Sequence, residues 1–429
     1  MNPAILEGFL SATAPEALAA MAAGALIGLI AGMLPGVTIS SGIIIVLPLT
    51  FVMGPNVAIA LLLGIYSGGM MGGSFSAILL NIPGTPSASA TGLDGHPMAR
   101  RGEAGLALGT AIFASFSGGM FSLVCLYLIA PQLAAVALKF RAADLFSLVF
   151  FGLTIISSFA VQSVVKGLLS GLLGLILVTV GQDPVMGTAR YTFGDVNLLQ
   201  GVHFLTALIG LFAIPQLVDG IAESLKGIGK GDVLSRFGSI YPQWQHYKAM
   251  RLPVAIGAVV GTFIGILPGT GGPIAAFLSY DYAQKASRHP EKFGTGCVEG
   301  VAAPEAGNNA VCGGALIPMM TLGIPGDPIT AILIGALLVH GLAPGPMLFV
   351  ERPDFAYTII LPSSVIASSR LSAASPRIIS LCARPDGIIG KQFSFGSTTQ
   401  SNSTGLSTSI ISLMARSRSP GLLQRMPCA

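Results

Sequence analysis

The sequence predicts an all-α polytopic membrane protein made of two inverted structural repeats, with broken or re-entrant helices at the membrane midplane. Three observations predict this fold class. The 429 residues are 52% hydrophobic and 9% charged, whereas soluble domains carry about 25% charged residues. Several uncharged windows reach the roughly 20 apolar residues that span a bilayer. Proline-glycine breaks also recur in matched pairs in the two halves of the chain.

Roughly nine to eleven membrane segments are expected, about one for each 20 apolar residues. The segments before the polar middle of the chain are Ala17–Leu34, Val37–Val52, Val57–Leu80, Ala104–Ala130, Leu145–Ala160, Val164–Val180 and Gly201–Val218. The hydrophobic pattern restarts after residue 251.

Four regions follow from this pattern. Residues 1–218 form a first membrane repeat with additional helices, and 219–251 form a polar linker whose lysines and arginines place it in the cytoplasm. Residues 252–360 form a second, incomplete repeat. Residues 361–429 form an aberrant tail rich in serine and arginine. Since such a tail has little apolar surface to bury, it is expected to be disordered or frameshifted.

The internal repeat rests on two matched pairs of motifs. "GLIAGMLPG" (28–36) is similar to "GTFIGILPG" (261–269), and "GGSFSAILLNIPGTP" (72–86) is similar to "GGALIPMMTLGIPGDP" (313–328). The first repeat begins among acidic residues and the second among basic ones, so the halves are expected to enter the membrane from opposite sides. The Leu-Pro-Gly helix breaks are Leu34, Pro35, Gly36, Leu267, Pro268 and Gly269.

The broken helices predict a substrate and ion site, because irregular backbone at membrane depth is tolerated only where it is buried or lines a cavity. The start of a half-helix attracts carboxylates, and the end of a half-helix offers carbonyls to a cation. The stretch "PEAGNNAV" (304–311) adds a carboxylate and two amides. The candidate site residues are Asn81, Pro83, Gly84, Thr85, Ser87, Glu305, Asn308, Asn309, Gly323, Pro325, Gly326 and Asp327.

A structural interpretation stays open for each candidate. A single Pro-Gly break can be a turn between two helices, and the hydroxyl run after the first Ile-Pro-Gly break can cap or pack a helix. One asparagine of the pair Asn308–Asn309 can cap a helix that begins there, with Glu305 solvated. Asp327 is as well suited to capping the next helix as to binding an ion.

Composition and motifs argue against several other partners. The net charge of +4 comes without a basic patch interleaved with aromatic residues, so no nucleic-acid partner is expected. The five cysteines lack a CxxC pair and a histidine at ligand spacing, so neither a disulfide framework nor a metal site is expected. No cofactor is predicted beyond a coupling ion, Na⁺ or H⁺.

Six long motifs run through residues 17–360 in a fixed order: "GMLPGVT", "LNIPGTPSASATGLDGHPMARRGEAGLALG", "GILPGTGG", "GVAAPEAGNNAV", "TLGIPGDP" and "GALLVHGLAPGPMLF". They resemble the large membrane subunit (TctA-type) of the tripartite tricarboxylate transporters. The resemblance implies a multi-pass permease of the bacterial inner membrane and not an enzyme. It also implies a small membrane subunit and a periplasmic solute-binding protein as partners. The substrates it implies are citrate-like tricarboxylates or related carboxylates, imported with an ion gradient.

Family members continue with further helices after "GPMLF", whereas this sequence changes abruptly near Leu361. Two other functions compete with the permease. A passive carboxylate or ion channel would use the same breaks as a pore. An intramembrane aspartyl protease would use Asp281 and Asp327, although Ile324 stands where that motif has its first glycine.

Overall fold

The computed structural model describes residues 3–34, 37–141, 164–183, 188–202 and 239–360, together with residues 143, 144, 146, 147, 150 and 210. The helices are α1 (Pro3–Thr13), α2 (Pro15–Met33), α3 (Ile39–Thr50), α4 (Pro55–Leu80), α5 (Ala88–Met98), α6 (Ala104–Ala137), α7 (Val164–Thr179), α8 (Trp244–Ile266), α9 (Gly271–Ala286), α10 (Val298–Leu322), α11 (Pro328–Val339), α12 (Leu348–Glu351) and α13 (Pro353–Ile360). A short antiparallel ribbon pairs β1 (Gly181–Gln182) with β2 (Ala189–Arg190).

Some predicted features lie outside the described residues. These are the segment 145–160 apart from isolated positions, nearly all of 201–218, Pro35 and Gly36 of the first break, and the tail at 361–429. The linker predicted at 219–251 is described only from residue 239 onwards. Its last part is helical, because α8 already begins at Trp244.

Four helical segments among the described residues are long and apolar enough to cross a membrane. They are Pro15–Met33, Pro55–Leu80, Ala88–Ala137 and Trp244–Ile266. Apolar side chains on these helices point outwards, with Ile30 of α2 37% exposed and Phe263 of α8 61% exposed. Since water disfavours such surfaces and lipid does not, the helical core is built to sit in a bilayer.

The segment predicted at Val37–Val52 is not a full membrane span. Helix α3 has 12 residues, which is about 18 Å at a rise of roughly 1.5 Å per residue, against a hydrocarbon core of about 30 Å. Thr38 accepts a hydrogen bond from the amide of Ser41 and so starts the helix late. The helix ends shortly after Pro48.

Two helix pairs form the centre of the fold, α2 with α4 and α8 with α10. In each pair a glycine recurs every fourth residue and faces a carbonyl of the partner helix. A Cβ atom on Gly261, for example, would overlap the backbone of Gly307. Small residues at this spacing let two membrane helices approach backbone to backbone. The glycines are Gly24, Gly28 and Gly32 in α2 and Gly257, Gly261 and Gly265 in α8.

The ends of the long helices match between the two halves. Helix α2 ends at Leu34 with φ −82° and ψ 114°, and helix α8 ends at Leu267 with φ −77° and ψ 115°. Helix α4 ends at Asn81 and helix α10 at Gly323, both in the left-handed region with φ 57° and 70°. The same sequence pattern therefore produces the same backbone geometry twice.

Helix α8 begins with an interfacial anchor. Trp244 is exposed, and the Nζ of Lys248 lies 5.9 Å from the centre of its ring. Arg251 follows one turn later. Tryptophan and basic residues gather where a membrane helix meets the headgroups, and basic residues favour the cytoplasmic side.

Candidate functional site

The two Ile-Pro-Gly breaks form short non-helical segments, which we name the first tip (residues 81–87) and the second tip (residues 323–327). Asn81 and Gly323 act as left-handed C-caps. The amide of the next residue reaches back six positions in both cases, from Ile82 to the carbonyl of Ser76 and from Ile324 to that of Pro318. Asn81 and Pro83 are exposed. In this structure both residues therefore serve to form the turn.

The Leu-Pro-Gly and Ile-Pro-Gly breaks of the second repeat contact each other. Gly269 adopts φ 76° and donates its amide hydrogen to the carbonyl of Gly326 at 2.5 Å. Gly326 is packed against Gly265, where a side chain would clash. Pro325 and Pro268 lie half-buried beside this contact. The second tip is thus fixed in place by backbone contacts.

Asp327 caps helix α11, as one of the two interpretations predicted. Its Oδ1 accepts hydrogen bonds from the amide of Thr330 at 2.7 Å and from the hydroxyl of Thr330 at 2.8 Å. Its Oδ2 accepts a hydrogen bond from Tyr66 of α4 at 2.5 Å. The second tip therefore already holds a buried carboxyl group at a helix start, and the donors there are not available to a carboxylate ligand.

The first tip is chemically different because it carries hydroxyls and no charge. Thr85 and Ser87 are buried, and their hydroxyl oxygens lie 3.1 Å apart. Ser87 precedes helix α5 but makes no side-chain capping bond to it. Gly84 allows the tip to press against the backbone of Gly32. The first tip therefore keeps hydroxyls near a helix start, an arrangement suited to an anion.

Asn308 lies deep in helix α10, 1% exposed, and faces the first tip. Its Nδ2 donates to the carbonyl of Met70 at 2.9 Å, which fixes the orientation of the amide. Its Oδ1 is buried and has no hydrogen-bond partner. Both Oδ1 and the Cβ of Ser87 pack against Gly272. A buried, unpartnered acceptor is costly, so this oxygen is available to a ligand.

Asn309 points elsewhere, although the two asparagines are adjacent in sequence. Its Nδ2 donates to the hydroxyl of Ser115 at 2.8 Å and to the carbonyl of Glu305 at 3.2 Å. Glu305 is fully buried and lies in hydrogen-bond contact with the hydroxyls of Thr91, at 2.6 Å, and Ser115, at 2.8 Å. The predicted site residues of α10 therefore do not form a single cluster: Asn308 lies on one side of the helix, and Asn309 with Glu305 on another.

The capping interpretation of Asn308 or Asn309, with Glu305 solvated, is wrong. Helix α10 begins at Val298, so these residues lie in its interior and Glu305 is inaccessible to solvent. Pro304 marks no helix start here and is accommodated within the helix.

Asp94, in the first half, binds a loop of the second half and was not among the predicted site residues. Its carboxylate accepts from the amides of Gly294 at 2.9 Å, Gly296 at 2.7 Å and Cys297 at 2.9 Å. It also accepts from the hydroxyl of Tyr280 at 2.8 Å. An acid within an apolar segment was the available signal.

Arg101 binds the same loop from the other side. It donates to the carbonyl of Thr295 at 2.7 Å and to that of Gly296. Burial and the neighbouring Asp94 raise the pKa of the Cys297 thiol to about 12. The 294–297 loop, which precedes α10, is thus held by side chains of the first half.

The two acids of the protease alternative have separate partners. Asp281 forms an ion pair with Lys285 at 2.6 Å, and both side chains are exposed. Asp327 is buried and bonded to Tyr66 and Thr330. The two carboxylates are therefore engaged in different surroundings, which does not favour a shared acid pair.

A helical membrane core with paired helix breaks and buried polar side chains defines the class: a polytopic membrane protein with a polar site in its interior. The model of the Tripartite tricarboxylate transporter TctA family matches residues 18–384, and the chain belongs to this family. The match continues beyond Leu361, where the sequence was expected to depart from the family. This membership confirms the resemblance found in the motifs.

Two proteins of Agrobacterium vitis are similar to the chain. One, described as an uncharacterized 52.8 kDa protein in the TAR-I ttuC' 3'region, is 39% identical over 354 residues, which are 82% of this chain and 70% of the relative. Another, described as an uncharacterized protein in the TAR-II ttuC' 3'region, is 42% identical over 100 residues, which are 23% of this chain and 41% of the relative. No solved structure matches the chain.

Proposed function

We propose that the protein is the permease subunit of a binding-protein-dependent secondary transporter in the bacterial inner membrane. It imports citrate-like tricarboxylates or related carboxylates with an ion gradient. Membership of the TctA family supports the transporter class. A small membrane subunit and a periplasmic solute-binding protein complete the system and deliver the substrate.

The observation that carries the proposal is the unpartnered Oδ1 of Asn308 beside the first tip. In the proposed site, Thr85 and Ser87 donate their hydroxyl hydrogens to a substrate carboxylate, aided by the positive end of α5. The Oδ1 of Asn308 accepts a hydrogen from a substrate hydroxyl or coordinates a cation that accompanies the anion. The carboxylate binds at the first tip rather than the second, because Asp327 already occupies the donors of the second tip.

The test is uptake by the full chain in proteoliposomes, reconstituted with the small subunit and the binding protein. We expect radiolabelled citrate, or succinate as a dicarboxylate probe, to accumulate above its external concentration when an ion gradient is imposed. Collapse of the gradient with an ionophore should abolish accumulation. A channel would only equilibrate the probe, and absence of uptake for both probes would overturn the proposal.

A further inference from the structure

Glu305 is a buried carboxylate without a positively charged partner. It lies in α10 and is fully inaccessible to solvent. The neighbouring helices bring it hydroxyls: Ser74 from α4, Thr91 from α5 and Ser115 from α6. The acid on α5, Asp94, is bound by Tyr280 and the 294–297 loop. Within the described part of the chain, no charged group faces Glu305.

An isolated charge in this position would be expensive, since neither water nor a counterion compensates it. The two possible remedies are a metal ion and a proton. A hard cation sits between its oxygen ligands, roughly 2.0–2.6 Å from each. Here the hydroxyl oxygens of Thr91 and Ser115 lie only 2.6 and 2.8 Å from the carboxyl oxygens of Glu305, which is direct hydrogen-bond contact. This arrangement fits a proton and leaves no space for a cation between them.

The hydrogen bonds also fix where the proton resides. The amide of Asn309 donates to the backbone carbonyl of Glu305, which can only accept, so its Nδ2 is assigned without ambiguity. The same Nδ2 donates to the hydroxyl of Ser115, and this hydroxyl donates to Oε2 of Glu305. Oε2 is thus an acceptor, and Oε1, facing Thr91, is the oxygen free to carry a proton.

We propose that Glu305 is the proton-binding group through which a proton gradient is coupled to transport, with the proton held on Oε1 against Thr91. This inference rests on the proposed function and specifies its coupling ion. On release the proton passes to water, and the Thr91 hydroxyl turns from acceptor to donor. Thr91 lies one turn after Ser87 on α5, and Asn309 adjoins Asn308 on α10. Both neighbours of Glu305 therefore connect to the proposed substrate site.

Infrared spectroscopy of the purified full chain in lipid nanodiscs tests the proton site without transport. We expect the C=O stretch of a buried, protonated carboxyl group in the wild type, which disappears as the pH is raised. Glu305→Gln should lack this band. Glu299→Gln, the same change in the first turn of α10, should keep it, and Glu305→Asp should restore it. An unchanged band in Glu305→Gln, or its absence from the wild type, would overturn the assignment.

Proteoliposomes test the coupling. Glu305→Gln should lose citrate accumulation driven by a pH gradient at least tenfold at equal amounts of inserted protein, whereas Glu299→Gln should keep it. Accumulation in Glu305→Gln equal to the wild type, or wild-type uptake driven by Na⁺ with no dependence on the proton gradient, would overturn the coupling role. Failure of the wild type to transport citrate or succinate would instead contradict the proposed function, while the infrared result would still decide the proton site.

Discussion

Tyr66 donates a hydrogen bond to Oδ2 of Asp327 at 2.5 Å, and this bond joins the long helix of the first repeat to the tip of the second. Counted from the matched caps Asn81 and Gly323, Asn308 occupies in α10 the position that Tyr66 occupies in α4. Thr85 likewise corresponds to Asp327. One polar residue of a long helix therefore lies near each tip, but Tyr66 is bonded to its tip, whereas the Oδ1 of Asn308 has no partner.

Tyr66→Phe should weaken the attachment of the second tip. The change leaves Oδ2 of Asp327 without its hydrogen-bond donor in a buried site, a loss of about 1–3 kcal/mol. We expect a lower thermal unfolding midpoint in detergent. Tyr282→Phe, at an exposed position on α9, is the matched control and should have no effect. Equal midpoints for Tyr66→Phe and the wild type would show that the bond contributes nothing.

Gly261→Ala should separate α8 from α10. The added methyl group would overlap the backbone of Gly307, so the helices must move apart, at a cost of about 1–3 kcal/mol. Gly119→Ala, in α6, meets no atom within 4 Å and should be neutral or stabilising by up to about 1 kcal/mol, because alanine favours helix. Thermal unfolding of both variants measures the difference, and similar midpoints would contradict the close packing of this pair.

Asp94→Asn should release the 294–297 loop and expose the thiol of Cys297. In the wild type, a pKa of about 12 keeps this thiol protonated at neutral pH and therefore slow to react with maleimide. Removing the charge of Asp94 lowers that pKa and loosens the loop, so labelling of Cys297, followed by peptide mass spectrometry, should accelerate several-fold. Asp281→Asn, at an exposed acid, should leave the labelling rate unchanged. Fast labelling in the wild type would refute this account of the loop.

The two halves should be related by an axis that lies in the membrane plane. This prediction rests on the pair of matched breaks, together with the acidic start of the first repeat and the basic start of the second. Introduced cysteines near residue 16 and near residue 251 should be labelled by an impermeant reagent from opposite sides of the membrane. Labelling of both positions from the same side would mean that the repeats are parallel.

The sequence predicted the helical membrane core and the helix ends at the proline-glycine motifs well, because proline and glycine act locally on the backbone. It did not predict which way the polar side chains point. Asn308 and Asn309 are neighbours in sequence but face opposite partners, since successive residues of a helix point about 100° apart. Asp94 and Tyr66 were missed because their partners lie in the other half of the chain, at separations that no local pattern reveals.

The central claim is that substrate binds at the first tip against Asn308, and uptake of radiolabelled citrate by the reconstituted system tests it most directly. Loss of one buried hydrogen-bonding partner of a charged ligand costs about 1.5–3 kcal/mol, which is roughly tenfold or more in affinity. Asn308→Ala should therefore raise the citrate concentration for half-maximal uptake at least tenfold, while Asn197→Ala, at an exposed loop position, should not change it. Uptake by Asn308→Ala that matches the wild type, at equal amounts of inserted protein, would contradict the account.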